Sequence, residues 1–508
     1  MPVQPTRIAA STTMILWLCI ASLLWYASFL LSPSHIGSPF AYGLLLLAES
    51  IGMTQLLGIW ITILFAHRSS VPGADVLHAR ALLAETRDPP SVAVFVTTAG
   101  EPLSTIHTTV TAARDMVLPH RTIILDDGWS DAVRSLAEEL GVEYLRRSER
   151  DGKKAGNVNN GLAHVSSEFV ALFDYDHVPA LEFLLETLPY LLAQPQLAFV
   201  QTPQFYANTT SFIAGGDAEM QEILYRYVQV GRNVFNAAIH VGTNALFRRA
   251  ALDDIGGFYA SSNSEDIWTS LLLHERKWES FFLPMVLAIG TAPETLGAYF
   301  RQQFRWARGG LEVLFRHNLL LQKDLTLDQK IQYLHASMHY LSSISVLLFF
   351  LMPLLYVYFG IRPLESPEGA FVWFIHFLPY YASIFFATTQ LLGRLPRWRT
   401  FVVATTTFPA HLTALLSVLT GLNLRWSGTG VIRLQRDYVT AIAPQLLLLF
   451  LSVGAIPLCF VLDWGNPPVN FMMAVWLTFN TSLLLSICRR AFPTSERKIL
   501  PALVTAPS

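Results

Sequence analysis

The sequence predicts a polar α/β domain, built on a mostly parallel sheet, set between two groups of membrane-spanning helices. Three observations predict this. The 508-residue chain is 52% hydrophobic and only 14% charged, whereas soluble domains carry roughly 25% charged residues. Its longest apolar runs lie in the first and last thirds. The stretch between them, residues 68–300, alternates short β-rich runs with helical runs, as parallel sheets covered by helices do.

The first element, residues 1–67, is predicted to be a transmembrane hairpin. Apolar runs at 14–31 and 42–66 are long enough to span a bilayer. Arg7 precedes the first run, as in a signal peptide. However, no small-x-small cleavage site follows and a second span comes at once, so we expect both spans to be retained.

The polar domain, residues 68–300, is expected to contain five strands with helical stretches between most of them. These strands are residues 92–96, 123–125, 142–145, 169–173 and 197–201. In such sheets ligands bind at the carboxyl ends of the strands. Several polar motifs of this sequence fall at those ends.

The remaining chain is predicted to alternate membrane and interfacial segments. We expect interfacial helices at 301–330, transmembrane pairs at 331–395 and 441–490, an interfacial helix with a loop at 396–440, and a tail at 491–508. Residues 401–422 are apolar but dotted with Thr, Pro409 and His411. That composition favours a helix lying in the interface, and the alternative is a seventh span.

The distribution of Lys and Arg predicts the orientation. They are abundant at 394–399, 425–436 and 488–498 and absent from the short loops 32–41 and 463–470. With six spans, this places the polar domain and both termini in the cytoplasm. A net charge of −2 argues against nucleic acid as a partner, and three cysteines in apolar runs without metal-ligand spacing indicate neither a disulfide scaffold nor a zinc site.

The first polar motifs follow the first two predicted strands. Thr98 and Glu101 lie in the loop after the first strand, and Asp126 begins an Asp-Asp-Gly sequence after the second. A carboxylate at a strand end can bind a uracil imide or ribose hydroxyls, although a turn or helix cap before Ser130 is the alternative. Lys154 lies in a basic, glycine-containing loop leading into a helix, which suits phosphate or forms a solvated loop with an Asn cap.

An apolar strand then runs into Asp174-Tyr175-Asp176. Because side chains alternate along a strand, the two carboxylates are expected to point to the same side. Two converging carboxylates repel unless a cation lies between them, and Mg²⁺ prefers one or two carboxylates with phosphate oxygens and water. The alternative is an Asp-rich turn.

Two further motifs precede the second group of spans. Asp266, in Ser264-Glu265-Asp266, could deprotonate an attacking hydroxyl, or the segment could simply cap a helix through Ser264. Gln302, Arg305 and Trp306 form a Q-x-x-R-W sequence. A guanidinium can pair with phosphate, and an indole offers a flat face for a sugar ring.

The series D-D-G, D-x-D, E-D and Q-x-x-R-W resembles the processive family-2 glycosyltransferases of the cellulose synthase branch. Further matches to that branch are Lys154-Ala155-Gly156-Asn157-Val158-Asn159, Gln201-Thr202-Pro203 and Gly242-Thr243-Asn244-Ala245. The resemblance covers nearly all of the chain and implies a GT-A, Rossmann-like cytosolic domain inserted in a transmembrane bundle. It also implies inversion at the anomeric carbon.

The resemblance further implies a role for each matching residue. Thr98, Glu101 and Asp126 would bind uridine. Lys154 and Asp174 would meet the nucleotide diphosphate, and Asp174 and Asp176 would hold Mg²⁺ or Mn²⁺. Asp266 would be the general base. Gln302, Arg305 and Trp306 would hold the diphosphate and the acceptor end of the glycan.

The sequence also departs from that branch. Its members commonly have His where this chain has Gln204, and a gating loop ending in Lys where this chain has residues 424–429. About twenty residues follow the last predicted span, so we expect no cyclic-dinucleotide-binding domain here. Periplasmic or accessory subunits are possible partners.

The function expected from these motifs is a membrane enzyme that polymerises a β-glycan from a UDP-sugar and moves it across the bilayer. UDP-glucose is the first choice of donor, with UDP-N-acetylglucosamine or GDP-mannose behind it, and the linkage position stays open. Two alternatives remain: a transferase that adds one sugar to a lipid acceptor, and a non-catalytic channel or scaffold.

Overall fold

The computed structural model describes residues 10–66, 73–86, 89–262, 264–365, 370–422, 441–462 and 467–491. The strands, numbered in chain order, are β1 (Val92–Thr98), β2 (Arg121–Asp126), β3 (Glu143–Leu145), β4 (Phe169–Asp174), β5 (Val178–Pro179), β6 (Leu197–Gln201), β7 (Phe205–Tyr206), β8 (Ala245–Arg248), β9 (Glu279–Phe282) and β10 (Ala288–Gly290).

The helices of the first half are α1 (Ala10–Leu30), α2 (Pro39–Ala66), α3 (Ala74–Glu85), α4 (Leu103–Arg114), α5 (Asp131–Leu140), α6 (Lys153–His164), α7 (Phe183–Ala193), α8 (Phe212–Ile223), α9 (Gln229–Asn233) and α10 (Arg249–Asp254). Those of the second half are α11 (Glu265–Glu275), α12 (Leu296–Arg316), α13 (Leu327–Met338), α14 (Ser342–Phe359), α15 (Ala370–Leu392), α16 (Trp398–Thr406), α17 (Phe408–Thr420), α18 (Ala443–Val461) and α19 (Pro467–Ala491).

Seven strands form the main sheet, in the order β3-β2-β1-β4-β8-β6-β9. All pairings are parallel except those of β8, which runs antiparallel to β4 and β6. The five predicted strands are all present, and the prediction of a mostly parallel sheet is confirmed. The short strands β8 and β9 were missed, because four residues are too few to show a periodicity.

The sheet is buried on both faces because its strands alternate two sets of apolar side chains. Val94 and Ile124 belong to the core on one face, whereas Phe95 and Ile123 belong to the core on the other. Helices cover both faces, as predicted. The carboxyl ends of β1, β2 and β4 therefore open together at one edge.

A second, three-stranded sheet has the order β5-β10-β7. Its strands are only two or three residues long. They bring His177, just before β5, and Thr291, just after β10, next to the end of β4. The small sheet therefore connects three distant parts of the chain beside the cleft.

Seven helical segments in the described residues are long and apolar enough to cross a membrane. They are Ala10–Leu30, Pro39–Ala66, Leu327–Phe359, Phe371–Leu392, Trp398–Thr420, Ala443–Val461 and Pro467–Ala491. Six correspond to the predicted spans. The protein is therefore a membrane protein, as expected from its composition.

The segment Trp398–Thr420 is the one that the sequence placed in the interface. It qualifies as a candidate span by length and composition, but it is divided into α16 and α17 at Thr407, just before Pro409. Its interfacial position stays a prediction. The gating-type loop at 424–429 and the tail after 491 lie outside the described residues.

Candidate active site

One cleft with a volume of about 1040 Å³ opens at the carboxyl ends of β1 and β4 and is closed on the other side by α12. Nine of the ten predicted site residues line it: Thr98, Glu101, Lys154, Asp174, Asp176, Asp266, Gln302, Arg305 and Trp306. They come from positions more than 200 residues apart in the sequence. The fold thus brings into one cleft motifs of which the sequence showed only the order along the chain.

The centre of the cleft is an ion pair between Lys154 and Asp174. The Lys154 Nζ also donates to the carbonyl of Gly242 at 2.6 Å, and Thr97 Oγ1 donates to Asp174 at 3.2 Å. Burial disfavours both charges, but mutual attraction outweighs it, so the pKa of Lys154 is raised and that of Asp174 is lowered. Both groups are therefore charged and ready to bind an anion and a cation.

Asp176 is held on both of its carboxylate oxygens. His177 Nδ1 lies 2.9 Å from Oδ1, and Thr291 Oγ1 donates to Oδ2 at 2.8 Å. Gly290 leaves room for the imidazole, since a Cβ there would lie 2.4 Å from His177 Nε2. The carboxylate is thereby fixed at the rim of the cleft, two residues after Asp174.

The carboxylates of Asp174 and Asp176 fit a divalent cation whose coordination is completed by a bound ligand. No group of three or more His, Cys, Asp or Glu side chains capable of holding a metal occurs in the part of the chain that the structure describes. Asp174 and Asp176 both line the cleft, and one or two carboxylates completed by phosphate oxygens and water are the ligands that Mg²⁺ prefers in nucleotide sites. Such a cation would take its remaining ligands from diphosphate and water.

Asp266 lies in the first turn of α11, and its Oδ1 accepts the N–H of Ile267 at 2.8 Å. A Cβ added at Gly242 would lie 3.5 Å from Asp266 Oδ2 and 3.9 Å from Lys154 Nζ. The carboxylate therefore faces the Lys154–Asp174 pair across a glycine. Burial, followed by the charge of Glu265, raises the pKa of Asp266 to about 7, a value suited to a general base.

The loop before Asp266 is docked on α12. Ser264 precedes α11, but its side chain makes no capping bond; instead, its hydroxyl donates to the carbonyl of Arg305 at 3.0 Å. A Cβ at Gly309 would lie only 2.0 Å from the Cβ of Ser264. The capping role considered for Ser264 is therefore wrong, because its hydroxyl joins the E-D motif to the Q-x-x-R-W helix.

At the first strand end, Glu101 folds back over the loop. Its carboxylate accepts Thr98 Oγ1 at 2.8 Å and the N–H of Ala99 at 2.6 Å. These bonds fix the Gly/Pro loop after β1 along the wall of the cleft. Thr98 and Glu101 therefore line the cleft at the end of the first strand.

Asp126 is the predicted residue that does not line the cleft. It is fully buried, and its carboxylate accepts the N–H groups of Gly128 and Ser130 and the hydroxyl of Tyr144. The turn considered as the alternative is therefore observed. Asp127 lines the cleft in its place and forms a bidentate ion pair with Arg147 at 2.7 and 2.6 Å.

The basic segment around Lys154 is also arranged differently from the prediction. It is not a loop: α6 begins at Lys153, after Gly152 in the left-handed conformation. Asn157 and Asn159 are helical and bind backbone groups of Leu125 and Phe258. These bonds attach α6 to β2 and to the segment that leads to Asp266.

The sequence reasoning missed several residues that shape the site. These are Thr97, Asp127, Arg147, His177, Gln204, Thr243 and Thr291. Three of them, Thr97, Thr243 and Thr291, hold a motif residue through a hydrogen bond from a distant part of the chain. Five of the seven, Thr97, Asp127, His177, Gln204 and Thr243, lie in or beside a motif that the sequence analysis named. Adjacency to a motif was therefore the sequence signal available for them, whereas Arg147 and Thr291 had none.

Two family models match the chain. Residues 89–309 match the model described as glycosyltransferase like family 2, and residues 201–430 match the model described as cellulose synthase. The chain is 31% identical over 440 residues to the UDP-forming cellulose synthase catalytic subunit of Pseudomonas fluorescens (strain SBW25), covering 82% of this chain and 58% of that protein. It is 36% identical over 267 residues to the corresponding subunit of Xanthomonas axonopodis pv. citri (strain 306), covering 51% and 37%.

Among solved structures, a mannosyltransferase from Pyrobaculum calidifontis in complex with GDP-Man and Mn²⁺ is similar, with a TM-score of 0.51 and 19% identity over 73% of this chain and 99% of that chain. This likeness confirms the predicted GT-A fold of the polar domain. The chain spans less than two thirds of the length of the curated relatives described above.

Proposed function

We propose, from the chain's membership of the family-2 glycosyltransferases in their cellulose synthase-like branch, that it polymerises a β-glucan from UDP-glucose with inversion and moves it across the membrane. The observation that carries this proposal is the position of Asp266. Its carboxylate faces the Lys154–Asp174 pair across Gly242. A base placed opposite a diphosphate site is what single displacement at an anomeric carbon requires.

The residues divide the reaction between them. Thr98 and Glu101 bind the uridine. Asp126 acts indirectly, because its carboxylate holds the turn that carries Asp127. Lys154 and Arg305 stabilise the charge that develops on the leaving diphosphate. Asp266 takes the proton from the acceptor hydroxyl as that oxygen attacks the anomeric carbon and the bond to the diphosphate breaks.

Asp174 and Asp176 would hold Mg²⁺ or Mn²⁺, which when bound neutralises charge on the diphosphate oxygens. The hydrogen bonds of Asp176 to His177 and Thr291 orient its carboxylate for this. Gln302 and Trp306, on the other wall of the cleft, hold the end of the acceptor glycan. The indole of Trp306 supplies an apolar face for a pyranose ring.

We also propose six spans, with the polar domain and both termini in the cytoplasm. At the start of Trp398–Thr420, Thr400 bonds to Glu219 of the polar domain, and Arg399 donates to the carbonyl of Thr209 at 2.8 Å. Near its end, Arg316 of α12 donates to the carbonyl of Val418 at 3.4 Å. The attachment of this segment to the polar domain at its start and to α12 near its end supports the interfacial position.

The test uses purified protein in nanodiscs with Mg²⁺. Release of the nucleoside diphosphate, UDP or GDP, would be measured with UDP-glucose, UDP-N-acetylglucosamine and GDP-mannose, and the product would be sized before and after linkage-specific glucanases. We expect UDP release with UDP-glucose and a long product digested by a β-glucanase. A short or lipid-linked product would instead indicate single-sugar transfer, and no release with any donor would contradict the proposal.

A further inference from the structure

A buried polar network lies along one wall of the cleft and centres on Gln204. The network comprises Gln204, Tyr206, Tyr225, Gln221 and Asp217, each at most 9% exposed. Of these, Gln204 and Tyr206 line the cleft. None of the five has been given a role in the reaction so far.

The orientation of the Gln204 amide is fixed by its partners. Its Oε1 lies 3.1 Å from the hydroxyl of Tyr206 and 3.0 Å from that of Tyr225, and both hydroxyls donate to it. Its Nε2 donates to the carbonyl of Val241 at 3.1 Å. Because a carbonyl can only accept, the nitrogen and not the oxygen must face Val241.

The amide then has one N–H left to offer. Both lone pairs of Oε1 are engaged by tyrosine hydroxyls, and one hydrogen of Nε2 is engaged by Val241. The side chain borders the cleft, so the second N–H is the group it presents there. A ligand that meets it must supply an acceptor, such as a hydroxyl oxygen.

Gln204 lies between the proposed base and the proposed metal ligand. On one side, Val241 precedes Gly242, which adjoins Asp266 Oδ2. On the other side, Tyr206 makes an edge contact with His177, with ring centroids 6.3 Å apart, and His177 holds Asp176. The sugar being transferred must occupy the space between base and diphosphate.

The tyrosines are in turn held from behind. The hydroxyl of Tyr206 lies 3.3 Å from Gln221 Oε1, and Gln221 Nε2 donates to Asp217 Oδ2 at 2.9 Å. Burial, followed by the charges of Asp217 and Asp266, raises the pKa of Tyr225, so its phenol stays protonated and remains a donor. The network therefore keeps Gln204 in one orientation.

We propose, resting on the function proposed above, that Gln204 is a specificity-determining residue whose N–H binds one hydroxyl of the transferred hexose. Tyr206 and Tyr225 are positioning residues that act through it. The sugar recognised here is one that carries an oxygen acceptor at the position facing Gln204. A preoriented donor discriminates better than a mobile one, because no rotamer freedom is lost when the sugar binds.

The test compares UDP-glucose with its 2-, 3-, 4- and 6-deoxy analogues by the initial rate of UDP release. In the wild type, one analogue is expected to lose about 10-fold in kcat/KM through the bond to Gln204, roughly the value of one hydrogen bond. Gln204→Met keeps the length of the side chain but has no N–H. This substitution should remove the loss in kcat/KM for that one analogue and leave the ratios of kcat/KM between UDP-glucose and the other three analogues unchanged. The UDP affinity measured by calorimetry should stay within about 2-fold of the wild-type value.

Tyr225→Phe provides a second variant that keeps Gln204 itself. It should reduce the same discrimination partly, whereas Tyr190→Phe, which removes a buried phenol from the core beyond the sheet, should not change it. Unchanged ratios at all four positions in Gln204→Met would overturn the inference while leaving the proposed function intact. No turnover of UDP-glucose by the wild type would overturn the proposed function, and this inference with it.

Discussion

Asp266 combines the position of a base with a pKa that suits the role. It accepts one backbone N–H and faces Lys154 across Gly242. Its neighbour Glu265 also lines the cleft, and the charge of Glu265 helps to keep the proton on Asp266. In the proposed mechanism the two adjacent carboxylates therefore have different tasks: Asp266 would accept the proton, and Glu265 raises the pKa of Asp266.

Asp266→Asn should abolish glucosyl transfer while leaving UDP binding nearly unchanged, because the amide cannot accept the proton but has almost the same size. We expect a loss of turnover of at least about 10²-fold, the range of general base catalysis. UDP release and calorimetric UDP affinity would check this. Asp253→Asn, which removes a surface carboxylate paired with Arg249, is the matched control. Turnover near the wild-type rate in Asp266→Asn would show that another group is the base.

The activity should fall at acidic pH with a midpoint near the pKa of Asp266, about 7. The carboxyl holds its proton below that pH and cannot accept another, so kcat/KM should drop about tenfold per pH unit and level off above it. The profile of kcat/KM between pH 5.5 and 8.5 checks this.

Glu265→Gln provides the control for the pH profile. The negative charge of Glu265 raises the pKa of Asp266, so its removal should move the midpoint to lower pH. A midpoint that stays in place, or that moves to higher pH, would show that the group titrating in the profile is not Asp266.

At the scale of elements, α12 and the loop before α11 act as one unit. Ser264 rests on Gly309 and bonds to the carbonyl of Arg305, and Ser262 donates to Glu312 at 3.0 Å. The helix that carries Gln302, Arg305 and Trp306 therefore also sets the position of the base. In the proposed mechanism, this contact would link acceptor binding to proton transfer.

Gly309→Ala should lower turnover by at least about tenfold with little change in UDP affinity, because a methyl group there overlaps Ser264 and shifts Asp266. The measurement is kcat alongside calorimetric UDP binding. Gly43→Ala is the matched control, since a Cβ at Gly43 meets nothing within 4 Å. Full activity in Gly309→Ala would mean that the contact does not position the base.

At the scale of the whole molecule, the buried carboxylate of Glu219 joins the polar domain to the arginines that directly precede the segment Trp398–Thr420. The Glu219 carboxylate, 1% exposed, pairs with Arg394 at 3.0 Å and accepts the N–H of Arg397 at 3.1 Å. Because Glu219 is buried, removing a positive partner is costly, since it leaves that carboxylate less well compensated. The polar domain and the segment Trp398–Thr420 are therefore expected to move together.

The proposed topology predicts where single cysteines can be labelled. Leu395→Cys and Leu422→Cys, both exposed positions on either side of Trp398–Thr420, should react with an impermeant maleimide only after membranes are opened. Ser34→Cys, in the first predicted external loop, should react in right-side-out vesicles. The three native cysteines are buried and give little background. External labelling of Leu422→Cys would make the segment a seventh span.

The sequence by itself determined the architecture and the order of the chemical motifs. Long apolar runs of spanning length and short apolar runs that favour strands are local patterns. The elements α1, α2, β1 and β4 could therefore be predicted. The position of Asp174 at a strand end followed from the apolar run of β4 alone. Strand alternation does not set the direction of Asp176, because β4 ends at Asp174 and Asp176 lies in the turn after it.

The tertiary structure alone decided how the motif residues are held. The engagement of Asp126 by a turn, the seat of Ser264 on Gly309 and the orientation of Gln204 by two tyrosines depend on packing rather than on local pattern. Ser264 donates to Arg305, 41 residues away. Gln204 meets Tyr225 and Val241, 21 and 37 residues away, and only its partner Tyr206 is close in sequence. A sequence shows which side chains can donate or accept, but only the packed chain fixes which of them meet.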